Sequence, residues 1–333
     1  GAIQAIKEDL CDQVILVGDE AILNQELDKY YFDRQRLTVV HASEKIGMED
    51  NAANSVRSKK DSSMVKAVSH HKSGAADAVV SAGNSGAFMT ASLLTYGRIS
   101  GVLRPAIAVN IPTQQGYEIL LDMGANVDCD PEHLVQFAQL GSIYYTCANE
   151  ITNPRVALLN IGEESAKGNS VTRGAHKLLS ENKTINFIGN IEGKDVLRGI
   201  CEVVVCDGFV GNVVLKTIEG ALISIFDILK EQFDKDWIAK FGAMLSYPVF
   251  SYLTKKLDHS EYGGALLVGL NGVSIVSHGR SNGKAIKNAI KLAAKISQAN
   301  IVQHTKEYFE RLQKWQLTTQ NFPHLAAAFP RRL

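Results

Sequence analysis

The sequence has no excess charge of either sign: 35 Lys and Arg stand against 35 Asp and Glu. Bulk electrostatics therefore give no support to a nucleic-acid partner. Cysteine is scarce, five in 333 residues, at Cys11, Cys129, Cys147, Cys201 and Cys206 with no C-x-x-C spacing. An odd set of scattered thiols argues against a disulfide framework or a zinc knuckle and fits reduced thiols in a cytosolic protein. No run has the length and apolar purity expected of a membrane-spanning helix, and no signal peptide opens the chain. A G-x-G-x-x-G after a strand is missing, so a dinucleotide site lacks its usual signature. So is G-x-x-x-x-G-K-[ST], which argues against an ordinary P-loop NTPase, and no H-E-x-x-H or paired Cys/His cluster suggests a metal.

What is present is an α/β pattern. With 45% hydrophobic residues, the chain can bury a large core as one big domain or two fused lobes. Short β-rich runs at Gln13–Val17, Leu37–His41, Ala78–Ser81, Ala106–Ile111, Ile119–Asp122, Val156–Ile161, Ile185–Ile188, Val203–Cys206 and Val273–Ser277 predict strands. Several are solidly apolar, as in strands covered on both faces. Helical stretches alternate with them near Ser62–His71, Asn84–Gly97, Pro131–Cys147, Asn169–Glu181, Phe209–Lys230 and Asn282–Arg311. The alternation predicts a doubly wound, mostly parallel sheet.

Four Gly- and Asn-rich turns follow predicted strands: Ser81–Ala87, Asp122–Asp128, Gly162–Asn169 and Asp207–Asn212. Glycines let backbone approach an anion, and helix N-termini point N–H groups at it. In a doubly wound sheet such turns are expected to gather along one carboxyl-end crevice. The set predicts an oxyanion or phosphate site, although any one turn alone is explained by chain reversal. Asp122 and Asp128 could share a divalent ion, but capping or turn-stabilising roles are the commoner use of such residues.

Ser85 sits at a strand-to-helix turn without the G-x-S-x-G spacing of a hydrolase elbow. Cys206 ends a strand, where burial and inertness compete with a nucleophilic role. The simplest chemistry without a dedicated nucleophile is attack by a bound anion on an activated acyl group. Lys167 and Lys216 are the cations nearest two of the turns; Lys216 lies one helical turn past Asn212. Either could neutralise phosphate or an oxyanion, or simply face solvent. His278, after the last predicted strand, could serve as an acid or phosphate donor or make a structural hydrogen bond. Arg98 and Arg104 flank residues 99–103 and could meet an acidic partner or form local ion pairs. Trp237–Leu257, broken by Pro248 and ending in Lys255 and Lys256, predicts two short helices. Its Leu245, Val249, Phe250 and Leu253 suit either a dimer interface or a membrane surface.

The motifs SAGNSGA, LDMGANVDCDPEHLVQFA, GEESAKGN, NFIGNIEG, VVVCDGFVGNVVLKTIEG and EYGGALLVGLNGVSIVSHG together closely resemble the PlsX family of acyl-acyl-carrier-protein:phosphate acyltransferases. The resemblance runs from the N-terminal region to about Ser297. It implies an isocitrate/isopropylmalate-dehydrogenase-like α/β fold, shared with phosphate acetyltransferases. It also implies a cytoplasmic homodimer, peripheral on the inner face of the membrane, with no cofactor. The expected partners are acyl carrier protein, inorganic phosphate and a membrane-bound glycerol-3-phosphate acyltransferase that consumes the acyl phosphate. Carried onto this chain, the catalytic positions are Lys167, Asn212, Lys216 and His278. Phosphate and substrate positions are Ser81, Gly83, Asn84, Ser85, Gly86, Asp122, Gly124, Asn126, Asp128, Glu163, Asn169, Asp207 and Gly208. Chains of the family open with a strand and an Asp-Ala-Met-Gly-Gly-Asp turn, both expected ahead of Gly1. One α/β unit is expected over residues 1–310, with 237–257 protruding and 311–333 a tail without a recognised feature. An acetyl-CoA-dependent phosphate acetyltransferase and a catalytically impaired membrane scaffold are the competing readings.

Overall fold

The computed structural model describes residues 1–257 and 259–321. Among the described residues there are ten strands: β1 (Val14–Gly18), β2 (Leu37–His41), β3 (Val79–Ser81), β4 (Ala106–Thr113), β5 (Gly116–Leu121), β6 (Arg155–Asn160), β7 (Asn186–Glu192), β8 (Val203–Val205), β9 (Ala265–Val268) and β10 (Ser274–Val276). The helices are α1 (Ala2–Lys7), α2 (Glu20–Leu27), α3 (Ala52–Ser58), α4 (Ser63–Lys72), α5 (Ser85–Tyr96), α6 (Pro131–Asn149), α7 (Ser170–Glu181), α8 (Gly208–Asp234), α9 (Trp237–Leu245), α10 (Tyr247–Leu257), α11 (Gly283–Gln298) and α12 (Ile301–Asn321).

Eight strands form one mixed, mostly parallel sheet in the order β3-β10-β9-β4-β5-β8-β6-β7. Side chains alternate between its faces. Ala106 and Ala108 of β4 join a core with Leu134 and Phe137 of α6, Ala289 and Ala293 of α11 and Phe309 of α12. Ile107 and Ile111 point the other way, into two smaller cores. One is built with α3, α4 and α5 around Phe88, the other beneath Val210, Val214, Leu215 and Ile218 of α8. Helices therefore cover both faces, which is why β8 can be the uninterrupted Val203-Val204-Val205.

Three features differ from the sequence reading. β9, the four residues Ala-Leu-Leu-Val, escapes recognition because Gly263, Gly264 and Gly269 around it all have positive φ and read as turn. The expected single helix over Asn282–Arg311 is two, parted at Asn300, whose φ of 51° ends the first helix. The second continues to Asn321, into the expected tail; residues 322–333 lie outside the described residues. Finally, β1 and β2 pair only with each other, in parallel. A cavity of about 840 Å³ lies between this small sheet and the large one. Gln13–Val17 line it on one side and Ala78–Ser81 on the other, with Met64 and Ala67 of α4 and Ile286 and Ile290 of α11 closing it.

Candidate active site

Three of the four turns meet at one edge of the large sheet, because β5, β8 and β6 are adjacent and parallel. Asp122, fully buried, holds the first of them together. Its carboxylate accepts from the N–H groups of Ile107 (2.9 Å), Ala125 (3.2 Å) and Asn126 (2.7 Å) and from Asn126 Nδ2 (2.9 Å). Burial pushes the Asp122 carboxyl up, while these donors pull it back. Asn126 Nδ2 also donates to the Pro105 carbonyl (2.8 Å). The start of α8 rests directly on this turn: the Gly208 N–H donates to the Asn126 carbonyl at 2.8 Å. A Cβ on Gly211 would stand 2.0 Å from the Asp122 carbonyl oxygen, so no other residue fits there.

The Asn and Asp residues of the turns are mainly helix caps. Asp207 accepts from the Val210 N–H (2.8 Å), Asn169 from the Thr172 N–H (2.9 Å) and Asn84 from the Ala87 N–H (3.0 Å). Asn84 Nδ2 is spent as well, on the carbonyls of Met48 (2.9 Å) and Asp50 (3.2 Å). These side chains thus orient helix-start amides, the groups an anion would meet at such a terminus. In α8, with Gly208 and Val210 already bonded, the first-turn N–H of Phe209 has no partner among the described residues.

Over β6, residues 162–169 are pinned from below. Asn160 Nδ2 donates to the Lys167 carbonyl (3.1 Å), Asn190 Nδ2 to that of Glu164 (3.1 Å), and the Arg173 guanidinium to that of Gly168. His176 orients Asn190 at 3.0 Å. Glu163 and Lys167 are exposed, and Lys167 has no carboxylate at ion-pair distance among the described residues. Asn212 lies over Gly124, tying α8 to the first turn. Lys216, one turn further, is paired with Glu219 at 2.6 Å. Arg104 is half-buried and donates to the Asp128 carbonyl (2.7 Å); the Arg98 guanidinium donates to the Leu103 carbonyl. Both arginines therefore fold residues 99–103 against this edge. Asn160, Arg173, His176 and Asn190 were not singled out from the sequence. Nothing in their spacing marks them, since they act through backbone carbonyls of a distant turn.

The expectation of a single carboxyl-end crevice needs correcting. β9 runs antiparallel to β10 and to β4, and β4 antiparallel to β5. The carboxyl ends of β3 and β10 therefore open at the edge opposite to those of β5, β8 and β6. Ser81, Gly83, Asn84, Ser85, Gly86 and His278 form this second group. Ser81 Oγ accepts from the Gly83 N–H (3.2 Å), and its carbonyl from the Ser277 N–H (2.8 Å). His278 is exposed, and its Nδ1 accepts from the Arg280 N–H at 3.0 Å. The two groups share a face of the sheet, the one under α5 and α8: Met123 and Ala125 of the Asp122 turn pack on the α5 core, and Val109 borders both cores.

No dedicated nucleophile emerges among the described residues. Cys206 is buried, its thiol donates weakly to the Asp122 carbonyl (3.7 Å), and burial raises it well above the ordinary thiol range. Ser85 is exposed at the start of α5, with no histidine bonded to it among the described residues. A metal shared by Asp122 and Asp128 does not fit, because the Asp122 oxygens are already satisfied by four inward donors.

Fold and edge together define an α/β protein that gathers capped helix N-termini at one edge of its large sheet. Its backbone superposes on a phosphotransacetylase from Streptococcus pyogenes with a TM-score of 0.54 at 16% identity, covering 90% of this chain and 99% of that one. A branched-chain phosphotransacylase from Enterococcus faecalis gives 0.54 at 14% identity, covering 89% and 94%. At these identities the likeness is one of fold. The model of the fatty acid synthesis protein family matches residues 1–304. The phosphate acyltransferase of Halothermothrix orenii is 48% identical over 303 residues, covering 91% of each chain. That of Dictyoglomus turgidum is 47% identical over 316 residues, covering 94% of this chain and 93% of its own. The chain belongs to this family, PlsX, and is a phosphate acyltransferase of fatty acid and phospholipid synthesis.

Proposed function

We propose that the enzyme transfers a long-chain acyl group from an acyl-carrier-protein thioester to inorganic phosphate, giving acyl phosphate for glycerol 3-phosphate acylation. The observation that carries this reading is the meeting of the Asp122, Gly162 and Asp207 turns, with Lys167 beside them, at one sheet edge. Phosphate bound there attacks the thioester carbonyl; a C–O bond forms, the C–S bond breaks, and phosphopantetheine leaves as thiolate. Thiolate is a good leaving group, so positioning and stabilisation of the carbonyl oxygen suffice. The Phe209 N–H, without a partner among the described residues, and the Lys167 ammonium are the donors suited to that oxygen or to phosphate.

The carrier protein, an acidic partner, would dock on the loop that Arg98 and Arg104 bracket, beside the same edge. The apolar surface of α8, α9 and α10, with Ile223, Ile225, Trp237, Leu245 and Val249 exposed, would serve a homodimer and a peripheral contact with the inner face of the cytoplasmic membrane. α8 is also long and apolar enough to cross a membrane by length and composition. Its first turns, however, are bonded into the site, which favours the surface reading. Among the expected membrane residues, Phe250 turns inward, edge-on to Phe233 at 5.3 Å. Lys256 donates to the Gln114 carbonyl (3.2 Å), and the Lys255 side chain lies outside the described residues.

The deciding experiment is acyl phosphate formation from phosphate with hexadecanoyl-carrier protein and with acetyl-CoA, side by side. Product from the carrier thioester is expected. Product from acetyl-CoA alone would assign an acetyltransferase, and none from either would leave a scaffold.

A further inference from the structure

The polar edge just described has an apolar collar that neither the turns nor the core require. Four large hydrophobic side chains stand exposed around the start of α8: Val127 (58%), Ile161 (81%), Phe209 (60%) and Val213 (51%). They come from three separate segments. Val127 follows Asn126, whose carbonyl receives the Gly208 N–H, so it flanks α8 on the β5 side. Ile161 follows the last residue of β6. β6 lies on the other side of β8 from β5, so Ile161 flanks the start of α8 on the opposite side from Val127. Phe209 and Val213 are one helical turn apart on α8 and share a face.

Each could have been polar without cost to the fold, since a helix start and two loop residues at a sheet edge normally face water. A ring of exposed apolar groups around a polar centre is how a site holds an apolar body by its polar end. The Phe209 N–H belongs to the same helix start, and the Phe209 side chain is the collar's largest member.

We infer that this collar grips the acyl chain of the thioester as it leaves the reacting carbonyl, making Val127, Ile161, Phe209 and Val213 determinants of chain length. The inference rests on the acyl-transfer reading above and adds to it the surface that reads the substrate. A straight acyl chain fits because the four residues come from both sides of one helix start and are continuous with the place where its carbonyl would lie. A second copy of the chain and a lipid surface are the other apolar occupants of such a surface, and the test separates them.

Phosphate-dependent turnover would be measured with carrier thioesters of 4 to 16 carbons for wild type, Phe209→Ala, Phe209→Leu and Ile161→Ser. Expected for Phe209→Ala is about a tenfold fall in the kcat/KM ratio of hexadecanoyl over butyryl substrate. Phe209→Leu should recover most of the ratio and Ile161→Ser lower it less. An unchanged ratio in all three folded variants overturns the inference. So does an altered oligomeric state by sedimentation, or loss of liposome binding with the ratio intact; these would give the collar to a second copy or to lipid. Absence of acyl phosphate with wild type at every chain length would instead sink the underlying function.

Discussion

Glu118 is the residue least at peace with its surroundings. It lies on β5 with 1% of its surface exposed, and neither carboxylate oxygen finds a hydrogen-bond partner among the described residues. Desolvation pushes its carboxyl up to about 9. It is therefore neutral in the native state near pH 7 and ionised in the unfolded chain. Because the folded group binds its proton more tightly, stability is greatest below the ordinary glutamate range and falls as pH rises towards about 9. Thermal unfolding between pH 5 and 9 should show that decline, and Glu118→Gln should flatten it, recovering on the order of a few kcal/mol at high pH. A parallel decline in the variant would exonerate Glu118. Lys167 has a different test: Lys167→Ala removes a charge-assisted contact of about 1.5–3 kcal/mol and should raise the phosphate KM or lower turnover, while unchanged kinetics would remove it from the site.

The residue types of the site were legible in the sequence more than their roles were. Asp122, Asn126, Asp207 and Gly208 do come together, because strands recognised as solid apolar runs lie next to one another. What the runs could not disclose is strand direction. β4 and β5 pair as an antiparallel hairpin, and that reversal puts the Ser81–Gly86 turn and His278 at the far edge. Asn84, Asn169 and Asp207 read as ligand contacts in the sequence, and what the structure adds is that each also completes a hydrogen bond within its own helix start.

At the scale of elements, the caps convert sequence into a binding surface. Asp207→Ala should cost roughly 1 kcal/mol in urea unfolding, as cap removal commonly does, and should also weaken phosphate binding by loosening the first turn of α8. Asn282 caps α11 by accepting from the Ala285 N–H at 3.0 Å, outside the edge formed by the three turns. Asn282→Ala should lower stability similarly yet leave the phosphate KM alone; equal kinetic losses in both variants would reduce the α8 cap to a purely structural one. The protruding helices allow a separate test. Leu245 and Val249 are exposed where Phe250 is not, so Leu245→Glu with Val249→Glu should abolish liposome co-sedimentation while acyl phosphate formation in solution persists. If those changes instead dissociate the protein and the parent never binds liposomes, α9 and α10 are an oligomer contact.

For the whole molecule, the consequence lies in the space between the two sheets. In β3 the N–H of Val79 donates to Val273 and the carbonyl of Ser81 accepts from Ser277, so both residues are turned towards β10. Alternation then aims the N–H and carbonyl of Val80 into the cavity, and β1, paired on one side only, presents its other edge to the same space. Two open strand edges facing each other, with backbone N–H and C=O groups turned into the cavity from both sides, leave room for one further extended strand that would join the small sheet to the large one.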